Sequence, residues 1–115
     1  MNYCGLEHIE SGVFQSMKNL SDLNLKWNAL TNIQALKGLE QLTVLRLRGN
    51  RISTIADRTF EGLKYLSTLD LGQNLLRSVP DLTGLVDVGV IRFDDNQIAD
   101  ITKLGKAGYI FIWKL

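Results

Sequence analysis

Apolar residues along the chain arrive in short bursts spaced two apart, and an asparagine follows each burst. The stretches LSDLNLKWNAL (20–30), LTVLRLRGNRI (42–52), LSTLDLGQNLL (66–76) and VGVIRFDDNQI (88–98) share one frame, L-x-x-L-x-L-x-x-N-x-L, with asparagine at 28, 50, 74 and 96. A period of two is that of a strand with one buried and one open face. The frame predicts short parallel strands centred near Leu23-Leu25, Leu45-Leu47, Leu69-Leu71 and Ile91-Phe93, with a fifth at Ile112-Trp113. Coils of 22–24 residues leave room for about one helical turn or extended chain on the return path, with Phe14 and Phe60 pointing inward.

The register runs beyond these four copies. Cys4-Gly5-Leu6-Glu7-His8-Ile9 lines up with Asn50-Arg51-Ile52-Ser53-Thr54-Ile55, which puts Cys4 at the asparagine position, and Ile110, Trp113 and Leu115 fall on the three leucine positions of a next repeat. On these motifs the chain resembles the leucine-rich repeat family. The resemblance implies an α/β repeat solenoid, a horseshoe segment with a parallel concave sheet and an irregular or short-helical convex side. It implies a single domain, 1–115, made of a partial repeat 1–19, repeats 20–41, 42–65, 66–87 and 88–109, and a partial repeat 110–115. Both ends fall inside a repeat, so the chain reads as a slice of a longer array.

Two repeat types alternate. Four residues separate Ile9 from Phe14 and Ile55 from Phe60, but two separate Ile33 from Leu36 and Val79 from Leu82. The longer form, N-x-I-x-x-I-x-x-x-x-F-x-x-L, resembles the typical class of extracellular receptors. The shorter resembles repeats of intracellular phosphatase regulators and some bacterial proteins. Each asparagine amide is expected to bond backbone groups that the turn after the strand leaves unpaired, a structural role.

Aligning the repeats sorts the variable positions into columns on the open face of the sheet. One column reads Asn24, Arg46, Asp70, Arg92 and Lys114; the next reads Asn2, Lys26, Arg48, Gly72 and Asp94; then come Tyr3, Trp27, Gly49, Gln73 and Asp95. The core does not need these side chains, so a protein partner on the concave face is expected to be read by Tyr3, Lys26, Trp27, Arg46, Arg48, Asp70, Arg92 and Asp94. Trp27 anchors that patch, because tryptophan beside arginine and tyrosine is the residue mix of interface hot spots. Its structural alternative is an indole folded back over the strand edge. Arg46, Asp70 and Arg92 alternate in sign and are expected to satisfy one another across the strands. Lys26, Arg48 and Arg51 at the front and Asp94 and Asp95 at the back predict a bipolar surface.

Composition narrows the function classes. A net charge of +1, with 45% hydrophobic and 22% charged residues, describes a globular chain with no global pull toward nucleic acid or anionic lipid. The apolar segments are too short for membrane insertion, and MNYCGLEHIE has no leader pattern. No catalytic set, metal site or cofactor motif emerges. His8 aligns with the variable Thr54, Cys4 with the turn asparagines, and Gly105-Lys106-Ala107-Gly108 lacks the spacing of a phosphate loop. Asn19-Leu20-Ser21 is a glycosylation acceptor triplet.

The expected function is therefore non-catalytic recognition of a protein. As the typical-class resemblance implies, this belongs to an extracellular receptor or secreted recognition protein in innate immunity, adhesion or guidance. The alternative is a cytoplasmic regulatory scaffold resembling the phosphatase regulators. The apolar run Tyr109-Ile110-Phe111-Ile112-Trp113 ends in an unpaired edge, which predicts self-association or stacking on further repeats there.

Overall fold

A computed structural model describes residues 5–10, 12–14, 16–86, 88–99 and the backbone of 110–112. Within it, five three-residue strands form one parallel sheet in chain order: β1 (Asp22–Asn24), β2 (Val44–Arg46), β3 (Thr68–Asp70), β4 (Val90–Arg92) and β5 (Ile110–Ile112). The only helical element among the described residues is a 3-10 turn at Gln34–Leu36. Each strand covers the x-L-x centre of the frame, and the alternation runs on to the next buried residue, Leu25, Leu47, Leu71 or Phe93.

Each repeat buries its leucine frame against the next. Leu23, Leu45, Leu69 and Ile91 form one row and Leu25, Leu47, Leu71 and Phe93 a second, all fully buried. Phe14 and Phe60 point inward as expected and share their row with Leu36 and Leu82. The backbone ladder continues past the strands: Leu25 N–H donates to Arg46 O at 2.8 Å and Trp27 N–H to Arg48 O at 2.9 Å, and the pattern recurs at Leu47, Gly49, Leu71 and Gln73. On the return path Gly38, Gly62 and Gly84 hold φ between 91° and 101°, each just before a buried leucine. At Gly84 glycine is needed twice over, since a Cβ there would stand 2.7 Å from Glu61 Cα and 2.8 Å from the Phe60 carbonyl oxygen.

The asparagines close every turn. The Asn50 amide donates to the carbonyls of Leu25 and Leu47, both at 2.9 Å, while its oxygen accepts from Leu30 N–H at 3.0 Å. Asn74 and Asn96 repeat this arrangement, with Ile52 and Leu76 as the respective N–H donors. Asn28 accepts from Leu6 N–H, and its amide donates to the carbonyls of Leu25 and Lys26. One amide thus ties its own turn to the preceding repeat. Cys4, the fifth member of the row by alignment, lies outside the described residues.

The fifth strand departs from the sequence register. Phe111, not Trp113, stands opposite Ile91, and Ile112, not Lys114, takes the column of Arg92. The step from one central residue to the next is 22, 24 and 22 residues and then 20. A one-residue slip would turn every side chain to the wrong face, but a two-residue slip preserves the alternation. Phe111 is as apolar as Trp113, so the hydrophobic pattern does not distinguish the two registers. The expected strand centre at Ile112-Trp113 is therefore corrected to Phe111. Trp113, Lys114 and Leu115 lie outside the described residues.

Candidate recognition surface on the sheet

Trp27 occupies a backbone conformation that sequence reading does not reveal. Trp27, Gly49, Gln73 and Asp95, each just before a turn asparagine, all lie in the left-handed region, with φ of 60°, 77°, 50° and 59°. Asparagine and glycine visit that region readily. A bulky side chain there is an outlier and costs about 1–2 kcal/mol. Trp27 tolerates the strain because its N–H is tied to Arg48 O and its turn to Asn28. Its indole lies across Gly49, where a Cβ would stand 2.8 Å from Trp27 Cδ2 and closer still to the six-membered ring. Even so, the residue remains 59% exposed, the most exposed aromatic among the described residues. Both readings of Trp27 thus meet in one geometry: one face of the ring is seated on the neighbouring repeat and the other is open to solvent.

Arg48 does the same one repeat further on. Its guanidinium passes over Gly72 and clamps Asp94, two strands away, with Nη2 donating to both carboxylate oxygens at 2.7 and 2.8 Å. Nε donates to Asp70 Oδ2 at 3.1 Å, and Arg92 Nε reaches Asp94 Oδ1 at 3.3 Å. Side-chain exposure is 14% for Arg48, 14% for Asp70 and 12% for Asp94. The hydrogen bonds from Arg48, reinforced by its charge and that of Arg92, hold the Asp94 carboxyl below its ordinary value against the opposing effect of burial. The Arg48 guanidinium is raised in turn, chiefly through Asp94.

Three expectations change as a result. Arg48, Asp70 and Asp94 do not project freely from the sheet, because they are drawn into a cluster of two cations and two anions. The row Arg46, Asp70 and Arg92 does not pair along itself: Arg46 takes Asp22 on β1 at 3.0 Å, Asp70 takes Arg48, and Arg92 takes Asp94. The bipolar surface is also cancelled at its strongest points, since frontal Arg48 is the counter-ion of rear Asp94. The reason is reach. Arginine is long enough to leave its column, and Gly72 leaves the lane open.

Of the expected contact residues, most of those that remain accessible sit toward β1 and β2. Trp27 is exposed, Lys26 is half-buried, and the Arg46–Asp22 pair is 37% and 50% exposed at its side chains. Arg92, at 42%, stands apart on β4. Tyr3, expected beside Trp27, lies outside the described residues. Asp22 joins the group as the partner of Arg46. Its signal was present in the sequence, since the two fall in neighbouring columns of adjacent strands with opposite charge. No cluster of three metal-binding side chains occurs among the described residues, and His8 is exposed on the return side beside Glu7 and Asn32.

The model for the leucine rich repeat matches residues 2–52 and 40–98. The chain belongs to the leucine rich repeat family. The match and the parallel one-strand-per-coil sheet agree on the same frame, so the turn asparagines and buried leucines of this leucine-rich-repeat chain are its structural signature. Its repeats mark it as a protein-interaction module. No curated protein matches the chain significantly.

Proposed function

We propose that this leucine-rich-repeat chain recognises a protein partner on the concave side of its sheet, with Trp27 as the anchor. The observation that carries the reading is a strained, 59% exposed indole seated on Gly49. A large side chain held in a costly conformation at the surface points to use rather than to packing. Lys26, Arg46 and Asp22 surround it with polar groups able to orient a partner, and Arg92 extends the contact surface toward β4. The Arg48–Asp70–Asp94 cluster serves beneath as a rigid floor that fixes the strands carrying these residues. Tyr3 stays with the patch on alignment alone.

The partner is extracellular in this reading, and the module belongs to a cell-surface or secreted recognition protein. The longer repeats ending in Phe14 and Phe60 support that assignment over the cytoplasmic scaffold. The test is a binding screen of the full chain against a library of secreted and cell-surface ectodomains. Partners retained by the unmodified chain should lose at least about 2 kcal/mol of affinity, roughly thirtyfold, with Trp27→Ala. The same partners should be indifferent to Glu40→Ala on the return side. Partners that bind Trp27→Ala as well as the unmodified chain would overturn the assignment.

A further inference from the structure

Seven asparagines lie among the described residues, and six are engaged through their side chains. Asn28, Asn50, Asn74 and Asn96 close the turns, and Asn24 and Asn32 accept from Lys26 N–H and Gln34 N–H. Asn19 is the exception: it is exposed and its amide has no hydrogen-bond partner among the described residues. It is also the one described asparagine followed two residues later by serine or threonine, in Asn19-Leu20-Ser21. We propose that Asn19 is an N-glycosylation site, an inference that rests on the extracellular reading given above.

The local geometry suits an acceptor. Leu20 N–H donates to Met17 O at 3.0 Å, which makes Lys18 and Asn19 the central pair of a tight turn whose flanks Met17 and Leu20 pack partly against the core. The side chain borders an open hollow of about 310 Å³ shared with Lys18, Gly38, Glu40 and Gln41. At Gly38, on the far wall of that hollow, even an added Cβ would meet nothing within 4 Å. Ser21 is exposed as well, so a glycan here displaces no packed atom.

The transfer is a displacement at the anomeric carbon of a sugar carried on a polyprenyl pyrophosphate. The bond from C1 to the phosphate oxygen breaks with its electron pair leaving on the polyprenyl pyrophosphate, a bond from C1 to Asn19 Nδ2 forms, and the proton lost by the amide nitrogen balances the charge of the departing pyrophosphate. Serine or threonine at the third position of the triplet is the hydroxyl requirement of this chemistry, which Ser21 meets. Asn19 precedes β1 and Trp27 follows it. Eight residues separate the two, a span of up to roughly 26 Å at the strand rise of about 3.3 Å per residue. The sugar therefore occupies the entry end of the sheet and leaves the Trp27 end uncovered.

The test expresses the full chain behind a heterologous secretory leader in cultured animal cells, alongside Asn19→Gln, Ser21→Ala and Ser21→Thr. The expected result is one glycoform removed by peptide N-glycosidase, absent from Asn19→Gln and Ser21→Ala, retained in Ser21→Thr, and placed on residue 19 by peptide mass spectrometry. A chain that enters the lumen and carries no sugar at residue 19 overturns the proposal, and because the transfer acts on the nascent chain, a variant that fails to fold still reports. Protein from its native source separates the two readings. Sugar on the leader-directed chain but none on the native one rejects the extracellular assignment while leaving Asn19 a competent acceptor.

Discussion

Replacing Gly72 by alanine should destabilise this protein through a residue on another repeat, and the sign of the effect should reverse when that residue is removed. A Cβ on Gly72 would stand 2.8 Å from Arg48 Nη1 and closer still to Cζ and Nη2. The tip of a free arginine would swing aside, but here it is pinned by bonds to Asp70 and to both oxygens of Asp94. The methyl group therefore enters only by breaking the clamp. Separating a fully buried ion pair costs about 3–5 kcal/mol, and an exposed one about 0–1. With the charges 12–14% exposed and able to rehydrate once apart, about 2 kcal/mol is the expected loss. For a chain of this size that lowers the melting midpoint by roughly 8 °C. Gly72 has no left-handed φ to protect. In an Arg48→Ala background, then, Gly72→Ala should stabilise by about 0.4–1 kcal/mol through the stiffer unfolded chain. Urea denaturation of both single variants and the double variant closes the cycle. Equal losses from Gly72→Ala in both backgrounds would refute the clamp as the cause.

Other consequences follow from the same geometry. The Asp94 carboxyl is depressed in the folded state, so its contribution to stability is present above the ordinary carboxylate value of about 3.9 and is lost as pH falls through the folded value. Arg48→Met should raise the pH midpoint of acid unfolding monitored by circular dichroism, and an unchanged midpoint would show that Arg48 is not the cause. Asn74→Leu strands the Ile52 N–H, at about 1–3 kcal/mol for a buried group that water does not reach, while the carbonyls of Leu47, Leu71 and Gly72 keep Asn50, Asn96 and Gly49 as donors. A loss below 1 kcal/mol by denaturant titration would remove the asparagine row as a determinant of the fold. Trp27→Gly should be more stable than Trp27→Ala by about 1 kcal/mol, because glycine relieves the left-handed strain and alanine does not; equal melting midpoints would argue against that strain.

Much of the fold was legible because the repeat multiplies a weak signal. A three-residue strand is invisible alone, but Leu23, Leu45 and Leu69 recurring in one frame with Asn28, Asn50 and Asn74 define strand, turn and direction together. The fifth strand escaped that logic. Ile110, Phe111, Ile112 and Trp113 are all apolar, and a shift of two residues leaves the inward face intact. The surface was legible by column but not by partner. Alignment placed Arg46, Asp70 and Arg92 side by side, yet arginine reaches beyond its own column, so the charge pairs cross between columns. The conformation of Trp27 was hidden because glycine, glutamine and aspartate fill the same position elsewhere in the chain, and only glycine advertises a left-handed turn.

The seating of Trp27 on Gly49 and of Arg48 over Gly72 gives the array a polarity that its repeating frame conceals. Each long side chain is housed by an absence in the coil that follows it, so the coils are not interchangeable parts. A gene rearrangement that duplicated residues 42–65 in tandem would set one Arg48 against another where Gly72 now gives way, like charge against like charge over a lane already filled. Excising residues 66–87 would remove Asp70, half of the counter-charge that Arg48 holds. Leucines and asparagines would pass both operations unharmed, because their register is blind to which copy comes next. Growth or shrinkage of such an array by recombination is therefore policed on the sheet's outer surface, and the order of the repeats is fixed by the residues that the core does not need.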